Sequence, residues 1–256
     1  MFTIGTVPFL NALPLYRTLE KSGAATIIRE VPSRLSGRLA AGECDVALIP
    51  VVDHFRGIGE RLLSDACIGS TGSVRSVLLF ARTPILDIAS IAIDTSSHTS
   101  VALLRIVLGD GYGVRPNFVE HAPDLTAMLE NHDAALLIGD KALEATPLAR
   151  QRGHEIFDLG SAWTAITKRS FVYAAWFGRA GLAEDQADEL AALLTEARNA
   201  GTPIIPDLAR DVPFPTRLTS EEITDYLTHA IEFHLTPGHR QGMEEFERRC
   251  RRLELA

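Results

Sequence analysis

Val7-Pro8-Phe9-Leu10-Asn11-Ala12-Leu13-Pro14-Leu15 lies close to the N-terminus and joins a strand pattern to a helix pattern. The apolar, β-prone residues 2–7 predict a buried strand. Asn11 is a favoured helix N-cap, and Pro14 fits a first helical turn. Ligands bind where strands lead into helices in open α/β sheets, because free N–H groups and the positive dipole end attract carboxylates. Local pattern leaves two roles open for Asn11: a helix cap, or an exposed amide at a binding site.

Strand and helix patterns alternate along the rest of the chain, which is typical of an α/β fold. The predicted strands after the first are residues 26–30, 46–49, 77–80, 91–93, 114–119, 134–138 and 171–177. Helices are predicted after Ser33, after the polar residues 94–100, and over 184–199, 220–233 and 240–253. The proline-rich residues 201–217 predict a connecting loop. The last helix is amphipathic, and docking on the core is favoured over a membrane surface.

Two strand-rich passages, residues 78–84 and 171–178, are suited to carry the chain between two lobes. We predict that residues 1–81 and 175–256 form lobe I and that residues 82–174 form an inserted lobe II. A fold of this kind binds its ligand between the lobes, at strand ends and helix N-termini.

The composition is that of a globular protein of 256 residues, 46% hydrophobic and 23% charged. A formal net charge of -8 argues against nucleic acid or an anionic membrane as the main partner. Cys44, Cys67 and Cys250 show no zinc or redox spacing, so we expect free thiols in a reducing compartment. No signal-peptide pattern and no membrane-spanning apolar run is visible, and we therefore expect a cytoplasmic protein.

A polar cluster follows the predicted strand at 91–93 and reads Asp94-Thr95-Ser96-Ser97-His98-Thr99-Ser100. Hydroxyl groups and free helix N–H groups hold a carboxylate without a buried cation. The glycines and lysine of a P-loop are missing. A plain helix cap is the alternative, but five Ser and Thr residues exceed what capping requires. His98 is a candidate general base because its usual pKa is near neutral, although solvent exposure is the commoner outcome for such a histidine.

Two further places carry candidate site residues. The first reads Gly69-Ser70-Thr71-Gly72-Ser73-Val74-Arg75-Ser76, where glycines permit a close approach of backbone to ligand. Arg75 is able to hold a carboxylate there, although a solvent-facing arginine is commoner. The second is Gly139-Asp140 at the end of a buried strand, where Asp140 either faces the cleft or caps the next helix.

These stretches together resemble the chorismate dehydratase family of the futalosine route to menaquinone. The resemblance spans nearly the whole chain, and its motifs lie at residues 7–15, 72–80, 95–104, 137–143, 158–163 and 171–176. The chain departs from the family pattern at two positions of these motifs. Pro8 stands where the family has a small residue, and Ser73 stands where the family has proline. It also has Thr167-Lys168-Arg169-Ser170 in place of the usual Thr-Gly-Leu-Pro.

The resemblance implies an α/β, type II periplasmic-binding-protein-like fold of two lobes with a ligand cleft between them. It implies a carbon–oxygen lyase without cofactor that removes water from chorismate to give 3-[(1-carboxyvinyl)oxy]benzoate. Asn11 carries over as the catalytic residue, and Ser76, Thr99 and Ser100 as substrate contacts. Their neighbours complete the predicted site, which contains no metal; they are Ser97, Gly139 and Asp140.

Two other functions remain as alternatives. The sister enzyme dihydroxynaphthoate synthase shares the implied fold, but its Pro-Asn-Asp run near the N-terminus is absent from this sequence. A non-catalytic binding protein for small anions is the second alternative, and that class usually carries a secretion signal.

Overall fold

The computed structural model describes residues 1–94 and 97–256 and shows an α/β fold built on two β-sheets. The strands, in chain order, are β1 (Thr3–Thr6), β2 (Thr26–Arg29), β3 (Val46–Pro50), β4 (Arg61–Ser70), β5 (Val77–Ala81), β6 (Ser90–Asp94), β7 (Asn117–His121), β8 (Ala134–Ile138), β9 (Glu155–Asp158), β10 (Phe171–Gly178) and β11 (Glu232–His234).

Helices connect most of these strands. They are α1 (Leu13–Ser22), α2 (Pro32–Ala40), α3 (Val51–Phe55), α4 (His98–Ile106), α5 (Leu125–Asn131), α6 (Gly139–Gln151), α7 (Leu159–Thr167), α8 (Glu184–Gly201), α9 (Ile205–Arg210), α10 (Ser220–His229) and α11 (Pro237–Arg252). Short 3-10 turns cover Leu10–Ala12, Ile85–Asp87 and Thr202–Ile204, and a π-helical segment, Val107–Tyr112, extends α4.

The strands form two sheets of mixed direction. The first sheet has the order β11-β4-β10-β3-β1-β2, with β1 parallel to β2 and β3 and with β10 antiparallel to β3 and β4. The second sheet has the order β7-β6-β8-β5-β9, with β6 parallel to β7 and β8. Parallel neighbours need crossover connections, which the helices provide. Each sheet is therefore the centre of one lobe.

The first helix begins later than the sequence predicts. Its N-cap is Ala12, and Asn11 lies in the preceding 3-10 turn with no capping hydrogen bond from its side chain. The N-cap interpretation of Asn11 is therefore wrong. Pro14 does lie in the first turn, and Gly23 ends the helix at a φ of 70°, where glycine carries no steric penalty.

The chain passes between the two sheets at residues 71–76 and again at 168–170. Strand β5 pairs with β8 and β9 in the second sheet, and the whole of β10 pairs with β3 and β4 in the first. The sheets therefore divide the chain before β5 and before β10, whereas the predicted lobe boundaries were 81/82 and 174/175. Composition did not reveal this, because both strands are apolar throughout and match either sheet.

Asp158 holds the first of these crossovers in place. Its carboxylate accepts hydrogen bonds from the backbone N–H of Val74 and Arg75, at 3.1 and 2.7 Å, and from the Ser73 hydroxyl at 2.7 Å. The same carboxylate caps α7 through the N–H of Ser161. Arg75 adopts a φ of 61°, a conformation that needs such support in a residue other than glycine.

Several predicted elements differ from the structure. The sequence analysis missed β4, β9 and β11, and its predicted helix over residues 220–233 runs into β11. It also began α2 with Ser33 as the cap, whereas Val31 is the N-cap, and it placed β7 three residues early. The predicted loop 201–217 contains α9. Short or irregular strands lack a clear alternation of polar and apolar residues, so periodicity does not identify them.

The C-terminal helix docks on the core, as predicted. Phe246 and Cys250 of α11 are fully buried, and Phe246 packs edge-on against Trp163 and Phe171. All three cysteines are free thiols. Within residues 1–94 and 97–256, no helix combines the length and the apolar character that a membrane crossing requires.

Candidate active site

A cavity lies between the two lobes. It is placed at the carboxyl ends of the parallel strands β1, β3, β6 and β8, which is where ligands bind in such sheets. The first lobe lines it with Val7, Phe9, Asn11, Pro32, Leu48, Pro50, Ile68, Tyr173 and Ala174. The second lobe and the first crossover add Val74, Ser76, Val77, Ser97, Thr99, Ser100, Ile138 and Gly139.

The lining is apolar with a few polar groups and, among the described lining residues, no charged side chain. Its polar side chains are those of Asn11, Ser76, Ser97, Thr99, Ser100 and Tyr173. The starts of α4 and α6 also face this space, since Ser97, Thr99 and Gly139 belong to the lining. Helix starts and hydroxyl groups favour an anionic ligand without a buried cation.

Asn11 presents an unpaired amide oxygen at this cavity. Its Oδ1 atom is buried and has no hydrogen-bond partner among the described residues. Buried polar groups are nearly always paired, so an orphaned acceptor points to a bound partner or a functional role. Because Asn11 caps nothing and lines the cavity, a ligand donor is the natural partner for this oxygen.

Ser76 stands at the end of the first crossover, directly before β5. Its side chain is almost fully buried, and its hydroxyl oxygen accepts a hydrogen bond of 2.8 Å from the Tyr226 hydroxyl. Its backbone carbonyl accepts a second bond, of 2.7 Å, from the N–H of Gly139 at the start of α6. Two separate elements therefore fix the orientation of Ser76 at the cavity.

The start of α4 brings further hydroxyl groups to the cavity. Thr99 and Ser100 are buried and line the cavity, and the Thr99 hydroxyl accepts a 3.4 Å bond from the N–H of Val52 in the first lobe. Ser97 precedes the helix and also lines the cavity. Thr95 and Ser96 of the predicted cluster lie outside the described residues.

Six of the seven predicted site residues thus surround one cavity, and Asp140 is the exception. One carboxylate oxygen of Asp140 accepts a hydrogen bond of 3.1 Å from the N–H of Leu10, across the gap between the lobes. Burial raises the pKa of Asp140 to about 7, and the Leu10 hydrogen bond offsets only part of this effect. The binding role of each of these residues stays a prediction.

Two other candidates from the sequence are engaged away from the cavity. His98 directs its Nδ1 atom at the buried carboxylate of Asp53, at 2.8 Å, and lies outside the cavity lining. Arg75 forms an ion pair with the exposed carboxylate of Asp225 instead of facing a ligand. The structure therefore favours structural contacts over catalysis for both side chains.

Two tyrosines at the site were not found by sequence reasoning. Tyr173 lines the cavity from β10, and its hydroxyl lies 3.1 Å from that of Ser70. Burial raises the pKa of Tyr173 well above its usual value. Tyr226 approaches Ser76 from α10. Both residues fall in apolar patterns typical of a core strand and a core helix, so no local signal marked them.

A family model described as menaquinone biosynthesis matches residues 2–252. The chain belongs to this family. It is 28% identical to the chorismate dehydratase of Thermus thermophilus over 96% of this chain and 93% of that protein.

Solved structures show the same fold at low sequence identity. An Archaeoglobus fulgidus protein superposes with a TM-score of 0.79 and 16% identity, over 100% of this chain and 98% of that chain. The periplasmic aliphatic sulphonate binding protein SsuA of Escherichia coli superposes with a TM-score of 0.64 and 16% identity, over 99% and 92%. The chain therefore has the periplasmic-binding-protein-like fold that the sequence predicts.

Two departures from the family pattern occur where the chain crosses between lobes. Ser73 replaces proline and donates its hydroxyl to Asp158. Lys168 replaces glycine and nevertheless adopts a φ of 59° at the end of α7, the left-handed conformation that glycine favours there.

Proposed function

We propose that this protein is a chorismate dehydratase, which removes water from chorismate to give 3-[(1-carboxyvinyl)oxy]benzoate. The observation that carries the proposal is the unpaired Asn11 amide oxygen at an inter-lobe cavity, in a chain of the menaquinone biosynthesis family. A relative of nearly the same extent bears the name chorismate dehydratase. We class the activity as that of a hydro-lyase.

The cavity suits a small dianion with a ring. Apolar side chains such as Phe9 and Ile68 pack against ring faces, while the starts of α4 and α6 and nearby hydroxyls meet the two carboxylates. Elimination makes the ring of chorismate aromatic, which supplies a strong driving force. The protein is therefore required chiefly to orient the substrate and to stabilise the charge that develops.

The proton is removed by the substrate itself in this proposal. The ring carbon that bears the enolpyruvyl ether loses its proton to the enolpyruvyl carboxylate, and its C–H electrons become a ring double bond. The neighbouring hydroxyl leaves with its bonding electrons and takes up that proton, so that one water is released. No external oxidant or reductant is needed, and we propose a reaction without cofactor.

The positions of the ionisable groups support substrate assistance. No carboxylate and no imidazole belongs to the described lining, since Asp140 contacts Leu10 and His98 contacts Asp53. An intramolecular base benefits from a high effective molarity, so a weakly basic carboxylate suffices. Asn11 is then the group that holds the reacting part of the substrate in place.

A test of the base uses His98→Ala and Asp140→Asn in single-turnover experiments. Both variants are expected to retain the rate of the chemical step and to lose some affinity for chorismate, because each side chain joins the two lobes instead of touching substrate. Abolished turnover with normal chorismate binding in either variant would identify a protein base and contradict substrate assistance.

We propose a reducing, cytoplasmic location and a small molecule as the partner. Three free, buried thiols support the location, because disulfides are rare in reducing compartments. The negative net charge argues against nucleic acid as a ligand.

The deciding experiment adds chorismate to the purified protein and follows ultraviolet spectra and product mass. Loss of the chorismate spectrum with formation of a product lighter by one water is the expected result. Asn131→Ala, an exposed asparagine on α5, serves as a control and should behave as wild type. Bound but unchanged chorismate would instead favour a binding protein, and no binding at all would favour the sister enzyme dihydroxynaphthoate synthase.

A further inference from the structure

Tyr226 reaches the candidate active site from the C-terminal part of the chain. It lies on α10, only 2% of it is exposed, and its hydroxyl donates to the Ser76 hydroxyl oxygen at 2.8 Å. The helix α10 packs against the turn that carries Asn11 and begins with a complete capping box between Thr219 and Glu222. The Tyr226 hydroxyl is thus held on a well-anchored helix, behind the cavity wall.

The direction of this hydrogen bond determines what Ser76 is able to do. A hydroxyl group has one proton to donate and two lone pairs to accept with. Because Tyr226 donates to Ser76, one lone pair of Ser76 Oγ is occupied and the Ser76 proton remains for another acceptor. No described residue accepts that proton, and Ser76 lines the cavity. The Ser76 hydroxyl is therefore able to donate a hydrogen bond to a ligand in the cavity.

Tyr226 keeps its donor role over the whole working pH range. Burial raises the pKa of Tyr226 far above its usual value, while its contacts with Ser76 and Asn11 lower it to a smaller extent. A neutral phenol that polarises a second hydroxyl strengthens the bond which that hydroxyl makes to an anion.

We propose that Tyr226 is a positioning residue, which orients Ser76 so that its hydroxyl donates to a carboxylate of the bound substrate. The inference rests on the proposed function, since it takes the dianion chorismate as the ligand. It explains why a buried polar pair from two distant parts of the chain is placed directly behind the cavity.

The test is a double-mutant cycle on chorismate turnover with Tyr226→Phe, Ser76→Ala and the double variant. Each single change is expected to raise KM about tenfold or more, the usual effect of losing a hydrogen bond to a charged group, with little change in kcat. The double variant should be no worse than Ser76→Ala alone, because in this proposal the effect of Tyr226 on the substrate passes through Ser76.

Tyr16→Phe is the matched control. Tyr16 is a fully buried tyrosine whose hydroxyl accepts a 3.1 Å bond from Arg29, away from the cavity. Its variant should keep the wild-type KM. Wild-type kinetics in Tyr226→Phe, or independent effects of the two changes that multiply in the double variant, would overturn the inference.

Two additions keep the test decisive. If Tyr226→Phe fails to fold, 3-fluorotyrosine at position 226 retains the ring and is a stronger donor. KM should then be unchanged or lower, and a rise in KM would overturn the inference.

If the wild-type protein does not dehydrate chorismate, the proposed function fails. The same cycle is then measured on chorismate affinity by calorimetry, where coupled effects support the positioning role. Absence of chorismate binding would overturn both proposals.

Discussion

At the scale of single residues, Asn11 combines a buried, unpaired acceptor with a place at the cavity. We expect Asn11→Ala to lower kcat by about 100-fold or more, as for loss of one oriented polar contact in a transition state. The unliganded variant should have an unchanged or higher Tm, because no cap is lost and an unsatisfied polar group is removed. Steady-state kinetics check the expected fall in kcat, and thermal unfolding checks the expected Tm. Near-normal turnover would mean that Asn11 has a structural role only.

Asp140 makes the stability of the protein depend on pH. Its pKa is about 7 in the folded protein against 3.8 for the unperturbed group, so between these values the folded state holds a proton that the unfolded chain has lost. Stability therefore falls as pH rises from about 4 to about 7. At about 1.4 kcal/mol per pH unit, the loss of stability across this interval is about 4 kcal/mol. The partial exposure of Asp140 to solvent reduces this loss to about 2 kcal/mol.

Asp140→Asn removes this titration while keeping an oxygen that accepts from Leu10. Relative to wild type, its free energy of unfolding is expected to increase between pH 4.5 and pH 8, so that the variant becomes the more stable of the two; urea denaturation measures this. Asp188→Asn, an exposed carboxylate on α8, controls for the change in charge. The opposite trend with pH would show that Asp140 is better stabilised as a carboxylate than its burial indicates.

At the scale of helices and strands, Gly201 allows α8 to pass directly over the start of α1. A Cβ atom at Gly201 would lie 2.0 Å from the carbonyl oxygen of Pro14, whereas one at Gly37 of α2 would meet nothing within 4 Å. We expect Gly201→Ala to lower the free energy of unfolding by about 3 kcal/mol, because a backbone atom must move. Gly37→Ala, the matched control, should raise it by up to about 1 kcal/mol.

The displaced helix in Gly201→Ala carries a consequence for the site, since α1 directly follows Asn11. Chorismate turnover should fall in this variant at a temperature where circular dichroism shows it folded, while Gly37→Ala retains wild-type turnover. Equal stability of the two variants would mean that the contact between α1 and α8 adapts without strain.

At the scale of the whole molecule, polar contacts join the two lobes. Asp140 accepts from Leu10, and His98 contacts Asp53, in each case across the gap between the lobes. A ligand that contacts both lobes shifts the population toward such a closed arrangement. The radius of gyration from small-angle X-ray scattering should therefore fall when chorismate binds. An unchanged radius at saturating chorismate would contradict lobe closure.

The sequence by itself determined the features that depend on local pattern. Apolar runs and their periodicity predicted eight of the strands, and Gly23 predicted the end of α1. The order of motifs along the chain was enough to indicate the family and the two-lobed fold. Residues where strands lead into helices, together with the family resemblance, indicated six of the residues that line the cavity, because helices that follow parallel strands start at one edge of the sheet.

Only the tertiary structure decided which distant groups meet. Tyr226 and Ser76 are 150 residues apart, and Asp140 and Leu10 are 130 apart, so neither pair has a local signature. The sequence also did not indicate which of the two sheets β5 joins, because a strand that is apolar on both faces is suited to any buried position. Periodicity reports which face of an element is buried, whereas partners across the chain follow from the topology that brings those faces together.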